Sequence, residues 1–519
     1  MARIERSLDQ FEAVGRMRWR MLINSLRTPA GKFELTAQAF INGFFSLTWL
    51  GAGIGFGLAS WQSAKDHNLT MLSSLLWAVS IAWQVMPILL EGFQGNVDLT
   101  FLRRFPVSFR AYAFLHIFLG LFDLSSLMGG LTLLGIWVGT VLARPDLLIW
   151  TTASLVVFAL FNLLLSKAIF AWFEKLFSQR RTRTMFGAMV LILVVGLAAQ
   201  FRWLPPGLSA SAIQMAEKGH LFQATAAFGG LALYLIVVGV LLAIRLHAEY
   251  RGESLSKSPG LNPQASALDV PRRVSWFDQV PGSFGALIQK ELICFSRNGV
   301  LIFGLAAPLL FLFYMAGKPV MNLAPLSQYA LPIGIALAMA PFSRQICNSF
   351  GAEDAGIQLC FLLPTRFRSI MLAKNILQLG LIGLEAVLVF LIVLVRHGMP
   401  SFSIVATTFC WLLFVLPAQL AVGNVLSITM AYRMTKTRIS SEPGATSSGL
   451  LSLLFQVLLF MAGRSIYLPL AQDGHIELAR QIFLLLAIGT VVVWLAVLSK
   501  VDRLAESRRS ALLASLVRT

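Results

Sequence analysis

The amino-acid sequence predicts an all-α membrane protein that crosses the bilayer about 12 times, as two parallel six-helix repeats with both termini in the cytoplasm. Of its 519 residues, 57% are hydrophobic and only 13% are charged, and the mean hydropathy is +0.74. The apolar residues form runs of about twenty, long enough as helices to cross the ~30 Å of hydrocarbon in a bilayer. Strands of a β-barrel would alternate polar and apolar residues with a period of two, and these runs do not.

A repeated basic interval predicts the two copies. The interval Asp98–Tyr112 (DLTFLRRFPVSFRAY) is followed half a chain later by Gly356–Ile370 (GIQLCFLLPTRFRSI). Three residues match, each 258 positions further on: Pro106, Phe109 and Arg110 in the first copy, and Pro364, Phe367 and Arg368 in the second. Because repeats of six helices share one orientation, both intervals should lie on the same side of the membrane.

The first copy is predicted to occupy residues 38–246, after a basic amphipathic segment at 1–37 that would lie on the inner membrane surface. Its six helices are expected at 38–60, 71–91, 111–141, 147–172, 185–201 and 225–246. Segment 202–223 is too polar to span, and Pro205-Pro206 breaks the helix before it, so short helices at the outer surface are expected. Glycines predict close helix packing in helix one (Gly51, Gly53, Gly55, Gly57) and helix three (Gly129, Gly130, Gly135, Gly139).

A Ser-, Pro- and Gly-rich cytoplasmic linker is predicted at 247–288, and the second copy at 289–499. Its helices are expected at 299–317, 327–346, 371–395, 402–431, 448–466 and 479–499, followed by a basic tail at 500–519. The segment QKELICFSRN at its start is similar to WRMLINSLRT at 19–28. Tyr467-Leu468-Pro469 is similar to Trp203-Leu204-Pro205 and predicts a second, shorter outer segment.

The charge distribution sets the orientation. With this topology, 34 of the 42 Lys and Arg residues fall on one side, which must be the cytoplasmic side because cytoplasmic loops retain basic residues. The same bias explains the net charge of +18 without a nucleic-acid partner. The four cysteines form no CxxC pattern, so the sequence predicts neither a disulfide framework nor a metal site.

No catalytic motif is present. The chain has no GxxxxGK[ST] loop, so it cannot be its own ATPase, and it has no HExxH motif. We therefore expect no catalytic residue, cofactor or metal in this chain. A membrane enzyme or an assembly scaffold has no positive support in the sequence.

Two acidic residues, Asp123 in helix three and Glu385 in helix nine, lie inside predicted spans. They occupy corresponding helices, because 258 residues beyond Asp123 is position 381, one helical turn from Glu385. An acid inside a membrane is costly and by default indicates a functional polar path. The two could face the repeat interface and contact substrate or carry protons. Alternatively, each hydrogen-bonds a neighbouring helix or is neutral.

The order of parts in each copy resembles the type-two export permeases of ATP-binding cassette (ABC) transporters. QKELICFSRNGVLIFGLAAPLLFLF (289–313) looks like the approach to the family's first helix, and LPPGLSASAIQMAEKGH (204–220) looks like its outer segment. EDAGIQLCFLLPTRFRSIMLAKN (353–375) is similar to its loop that runs from acidic residues through Leu-Pro to basic residues. The first copy departs from this pattern, with Gly95 in place of Glu353 and Phe105 in place of Leu363.

The resemblance implies a permease subunit in a bacterial plasma membrane that exports a lipophilic or amphipathic substrate. ATP and Mg²⁺ would be held by separate cytoplasmic ATP-binding subunits, expected to be two, docked on the loops between helices two and three and between eight and nine. The expected coupling residues are Phe101, Leu102, Arg103, Arg104, Phe105, Pro106 and Arg110 in the first loop, and Leu362, Leu363, Pro364, Arg366 and Arg368 in the second. The alternatives are a structural turn with ordinary cytoplasmic arginines, and a proton-coupled secondary transporter that uses Asp123 or Glu385.

Overall fold

The computed structural model describes residues 26–89, 107–178, 202–251, 283–297, 329–353, 356–434 and 445–517, with a few more at 15–24 and 302–312. Within these ranges the secondary structure is helical, with no strand. Ten helical segments of the described residues are long and apolar enough to cross a membrane, when the consecutive helices at Ala330–Cys347 are counted as one segment. The chain is therefore an all-α, multi-pass membrane protein, as predicted.

The described residues up to Arg251 form one compact unit. Its α-helices are α1 (Pro29–Lys65), α2 (Thr70–Leu89), α3 (Phe109–Gly120), α4 (Leu124–Ala143), α5 (Leu148–Ser178), α6 (Pro205–Glu217) and α7 (Leu221–Tyr250).

The described residues from Ser283 onward form the second compact unit. Its helices are α8 (Ser283–Arg297), α9 (Ala330–Ala338), α10 (Ala340–Cys347), α11 (Ile357–Leu362), α12 (Phe367–His397), α13 (Phe402–Thr429), α14 (Ala445–Gln472), α15 (Ile476–Ser507) and α16 (Arg509–Leu516).

Several predicted elements fall outside the described residues and stay predictions. They are helix five at 185–201, most of helix seven at 299–317, most of the linker, and the first-loop residues Phe101, Leu102, Arg103, Arg104, Phe105 and Pro106.

Several helices extend beyond their predicted bounds, and three of the differences have a visible local cause. Helix one begins at Pro29, well before residue 38, because Thr28 caps it by accepting a hydrogen bond from the backbone N–H of Gly31 at 3.1 Å. Helix three is divided into α3 and α4, and Asp123 occupies the N-cap position of α4 in an extended conformation. Helix eight is divided into α9 and α10 because Pro341 lies in the first turn of α10 and cannot donate the hydrogen bond that would continue α9.

The turns before α7 and α15 are the same in both units. Gly219 and Gly474 each adopt φ of +75°, and each is followed by histidine and an apolar residue. His220 N–H donates to Met215 at 2.9 Å, and His475 N–H donates to Leu470 at 2.7 Å. Helix α14 runs through Pro469 to Gln472, so the predicted second outer segment is only this turn. A left-handed glycine ends a helix without the penalty that a Cβ would bring.

Four of the predicted glycines lie where helices one and three contact each other, whereas Gly51, Gly55 and Gly130 meet open space. A Cβ on Gly53 would lie 2.8 Å from the carbonyl oxygen of Leu131, and one on Gly57 would lie 2.9 Å from that of Gly135. A Cβ on Gly135 or Gly139 would in turn overlap the backbone of α1. Helices α1 and α4 therefore approach so closely that only glycine fits at these positions.

Three loops that were predicted outside the membrane meet in the first unit. Arg144, after α4, forms ion pairs with Asp146 at 2.8 Å and with Glu217 of α6 at 3.1 Å. His67, between α1 and α2, lies 3.4 Å from Glu217. Helix α6 also packs against the bundle, with Ala212 and Ile213 fully buried, so it covers the outer end of the unit as well as lying at its surface.

Candidate functional site

The second loop, between α10 and α12, contains the short helix α11 and is packed onto the ends of two spanning helices, α12 and α15. Ile357 and Cys360 of α11 are buried. They join a core with Phe367 and Ile370 from the first turn of α12 and Val501 from the end of α15. This packing fixes which face of α11 points inward.

An aromatic cluster connects α11 to the start of α12. Phe367 lies between two other rings, with its centroid 4.9 Å from that of Phe350 and 5.0 Å from that of Phe361. The guanidinium of Arg509, at the start of α16, lies 5.2 Å from the centroid of Phe361. Such contacts add about 0.5–1.5 kcal/mol each beyond the apolar area that they bury.

Asp502 ties the end of α15 to the start of α12. Its carboxylate accepts a hydrogen bond of 2.7 Å from the backbone N–H of Arg368. This N–H is one of the donors at a helix N-terminus that no residue of the same helix can satisfy. The negative charge of Asp502 is also favourable beside the positive end of the α12 dipole.

Four charged side chains form a network behind the loop. Lys374 of α12 is 5% exposed and contacts Glu353 at 2.5 Å and Glu291 of α8 at 3.0 Å. Lys290 of α8 contacts the same two carboxylates, Glu353 at 2.5 Å and Glu291 at 3.1 Å. The two positive and two negative charges balance, so the network connects α8, the loop and α12 without leaving a buried net charge.

The network shifts the pKa values of Glu353 and Lys290, which lie outside the candidate membrane spans. Burial alone would raise the pKa of Glu353, but the ammonium groups of Lys374 and Lys290 outweigh it and hold that pKa at about 2. Burial and Lys374 act to lower the pKa of Lys290, yet the carboxylates of Glu291 and Glu353 raise it above its usual value. Both groups therefore stay charged at neutral pH.

The outward face of α11 is apolar and surrounded by arginine. Leu359, Leu362 and Leu363 are 63%, 73% and 46% exposed. Pro364, Arg366 and Arg368, which were predicted to act with them, are exposed as well. All five predicted residues of the second loop thus lie on or beside one exposed surface.

Only the end of the first loop lies within the described residues. The hydroxyl of Tyr250, at the end of α7, donates a 2.8 Å hydrogen bond to the carbonyl of Val107. The ring of Phe109 lies 4.8 Å from His247 and 5.7 Å from Tyr250. Arg110 is exposed. In both units, therefore, the last long helix contacts the residues that follow the loop.

The two intramembrane acids have different surroundings. Asp123 forms an ion pair with Lys167 of α5 at the break between α3 and α4. This pairing matches the alternative in which the acid bonds a neighbouring helix. Glu385 is 1% exposed, and neither carboxylate oxygen has a hydrogen-bond partner among the described residues. Ile382 and Val389, one turn to either side of it, belong to the apolar core.

The second unit also buries uncharged polar groups. Gln419 of α13 donates to the hydroxyl of Ser343 in α10, and this hydroxyl donates to Gln456 of α14. An open cleft of about 590 Å³, including solvent at its mouth, lies beside the charged network. Its lining includes Glu291, Gln345, Ser349, Glu353, Lys374 and Gln378.

The sequence did not predict Lys374, Glu291 or Asp502 as site residues. Glu291 had a detectable signal, because it lies four residues after Leu287 on the buried face of amphipathic helix α8. The residue paired with each charge is not visible in the sequence, since Lys374 meets partners 83 and 21 positions away.

The described residues contain no group of three or more His, Cys, Asp or Glu side chains that could hold a metal ion. All four cysteines are free thiols. No protein-family model, curated protein or solved structure matches this chain.

Proposed function

We propose that this protein is the membrane-spanning permease subunit of an ABC exporter, which moves a lipophilic or amphipathic substrate out of the cytoplasm or the inner leaflet. Separate cytoplasmic subunits, two in number, hydrolyse ATP with Mg²⁺, and this chain holds no cofactor. The site of action is the plasma membrane of a bacterium.

The construction of the second loop carries the proposal. A loop that receives a push from a motor protein must be stiff, connected to spanning helices, and exposed on the side that the motor touches. Helix α11 meets the first two requirements through the Phe367 aromatic contacts, the Asp502 hydrogen bond and the Lys374 network. Its exposed leucines and arginines suit an apolar groove bordered by acidic residues on a partner.

The test is co-expression of the full chain with each ABC ATPase encoded in the same genome, followed by co-purification. We expect one ATPase to remain bound. Reversing two charges of the second loop, Arg366→Glu with Arg368→Glu, should weaken binding at least tenfold, because like charges would then face each other across the interface. The corresponding pair in the first loop, Arg103→Glu with Arg104→Glu, should act in the same direction.

Arg202→Glu is the matched control, since Arg202 is an exposed arginine on the predicted outer side. It reverses one charge where no cytoplasmic subunit can reach, so it is compared with the single reversals Arg366→Glu and Arg103→Glu as well as with the two pairs. Unchanged ATPase binding in both loop variants would contradict the proposal, as would equal losses in the loop variants and the control.

A second candidate, a proton-coupled secondary transporter, is favoured by Glu385. A buried carboxyl group without a hydrogen-bond partner among the described residues is costly when ionised, and such groups in spanning helices can carry protons. Against this candidate, the loop between helices two and three lacks the Gly-Asp-Arg-Gly-Arg type of motif common in the major facilitator family.

Uptake of a fluorescent amphipathic dye into inside-out vesicles, whose cytoplasmic face is turned outward, separates the two candidates. ABC export should stop when ATP is removed and continue with a protonophore. Proton coupling predicts the reverse, together with loss of transport in Glu385→Gln. If ATP-dependent export persists in Glu385→Gln, the carboxyl group is not part of the transport step.

A further inference from the structure

The C-terminal helix α16 lies against the loop helix α11. Leu512 and Leu516 of α16 are 1% and 0% exposed and belong to the same core as Ile357 and Cys360 of α11. Arg509 adds its contact with the ring of Phe361. Because α15 passes directly into α16 at Arg508, the end of the chain turns back beneath the second loop.

The exposed faces of α11, α15 and α16 carry a concentrated positive charge. Residues 356–368 and 500–517 contain six cations, Arg366, Arg368, Lys500, Arg503, Arg508 and Arg509, and all six are exposed. The same ranges contain two acids, and each has a partner. Asp502 accepts from the backbone of Arg368, and Glu506 lies 3.4 Å from Arg509.

The exposed leucines lie beside these cations. Ile357 and Cys360 pack against α12 and α15, so the opposite face of α11, with Leu359 and Leu362, points away from the spanning bundle. Arg366 and Arg368 follow α11 in the chain, and Arg509 contacts the ring of Phe361. An apolar patch beside exposed cations matches a protein groove with acidic edges.

We propose that α16 completes the docking surface of the second loop, so that the ATPase partner contacts the leucines of α11 in the centre and the arginines of α15 and α16 at the edge. This inference rests on the proposed function. It adds that the partner carries carboxylates on two sides of its groove, one set facing Arg366 and Arg368 and another facing Arg503 and Arg508.

The experiment uses the full chain in nanodiscs of neutral phosphatidylcholine and the purified ATPase that co-purifies with it. The test variant is Arg503→Glu with Arg508→Glu, since both side chains are exposed and no described contact of the fold depends on them. Arg202→Glu is again the control. We expect the test variant to weaken ATPase binding at least tenfold and to lower the salt dependence of binding, with an unchanged melting temperature.

Three outcomes overturn the inference, and they are distinguishable. If the wild type binds the ATPase and the test variant binds equally well, α16 is not part of the surface, while the proposed function stands. The same measurement is made in nanodiscs that contain phosphatidylglycerol. If the test variant loses ATPase binding there but not in phosphatidylcholine, the arginines act on anionic lipid instead of the ATPase. If the wild type binds no ABC ATPase of its genome, the proposed function fails together with the inference.

Discussion

The two units hold the residues next to their loops by partly different chemistry. Both use aromatic contacts, of Phe109 with the end of α7 and of Phe367 with Phe350 and Phe361. Among the described residues, the second unit adds a charged network that contains Lys374 and Glu353, and a bond from Asp502 to the backbone of α12. The first unit adds one hydroxyl contact from Tyr250. The positions 258 residues before Lys374 and Glu353 are His116 and Gly95, so the first copy has no lysine and no glutamate at these positions.

The residues that follow the two loops are therefore held with unequal stiffness. A network of short charge-assisted hydrogen bonds has directional contacts and resists sliding, whereas ring contacts tolerate small shifts. We therefore expect the residues after the second loop to be held more firmly than those after the first. Each of the following predictions would break or sharpen this contrast.

The largest effect is expected from Lys374→Met. It leaves two carboxylates, Glu291 and Glu353, with Lys290 alone, and removing one partner of a buried ionic group typically costs about 3–5 kcal/mol. The measurement is thermal unfolding of the purified full chain, followed by tryptophan fluorescence. The matched variant is His116→Met, which should cost under about 1 kcal/mol, because the buried Nδ1 of His116 has no partner among the described residues.

Adding Glu353→Gln to Lys374→Met should recover part of the lost stability, since the remaining Lys290 and Glu291 then balance each other. Equal losses from Lys374→Met and His116→Met would remove the proposed difference between the units.

The next effect concerns the helix contact of the first unit. Gly135→Val would insert side-chain atoms into the backbone of α1, and overpacking of this kind costs about 1–3 kcal/mol. Gly130→Val, in the same helix, meets open space and should be close to neutral. The readout is the yield of monodisperse protein and its melting temperature. Similar behaviour of the two variants would show that α1 and α4 do not depend on close approach.

The third prediction concerns the hydrogen bond that connects the last long helix of each unit to the residues after the loop. Asp502→Ala removes a charged acceptor, worth about 1.5–3 kcal/mol, whereas Tyr250→Phe removes a neutral hydrogen bond worth about 1 kcal/mol. Amide hydrogen exchange should therefore accelerate more around residues 366–370 in the first variant than around 107–110 in the second. The opposite order would indicate that the first loop is the more firmly held.

The smallest effect is a dependence on pH. The folded pKa of Glu353 lies at about 2, below its unfolded value of 4.5, so its contribution to stability is fully present above that unfolded value and is lost as the pH falls. The difference in melting temperature between the wild type and Glu353→Gln should be constant from pH 8 to pH 5 and shrink between pH 4.5 and pH 3. A difference that stayed constant at the lower values would mean that Glu353 is not held charged by its two lysines.

Much of the architecture could be predicted because it depends on composition along the chain. The spanning helices and the glycine packing of α1 against α4 follow from hydropathy and residue size. Two breaks inside predicted helices were missed where one polar or cyclic residue decides the backbone, Asp123 at the start of α4 and Pro341 in α10. Neither interrupts the hydropathy of the run that contains it.

The candidate site could be predicted only in part. The exposed loop residues from Leu362 to Arg368 follow from a local pattern of leucine, proline and arginine. The two acids inside the membrane looked equivalent in sequence, yet Asp123 has Lys167 as a partner and Glu385 has none among the described residues. Whether an acid finds a partner depends on how far each neighbouring helix is rotated and where it breaks.

The sequence by itself determined that this chain is a helical membrane protein and where the recurring Pro, Phe and Arg residues lie. These properties are set by transfer free energies and by residue types, which act locally. Only the tertiary structure decided that Lys374, Glu353, Glu291 and Lys290 meet, and that α16 turns back onto α11. Such contacts join residues far apart in the chain, and they depend on the packing of whole helices.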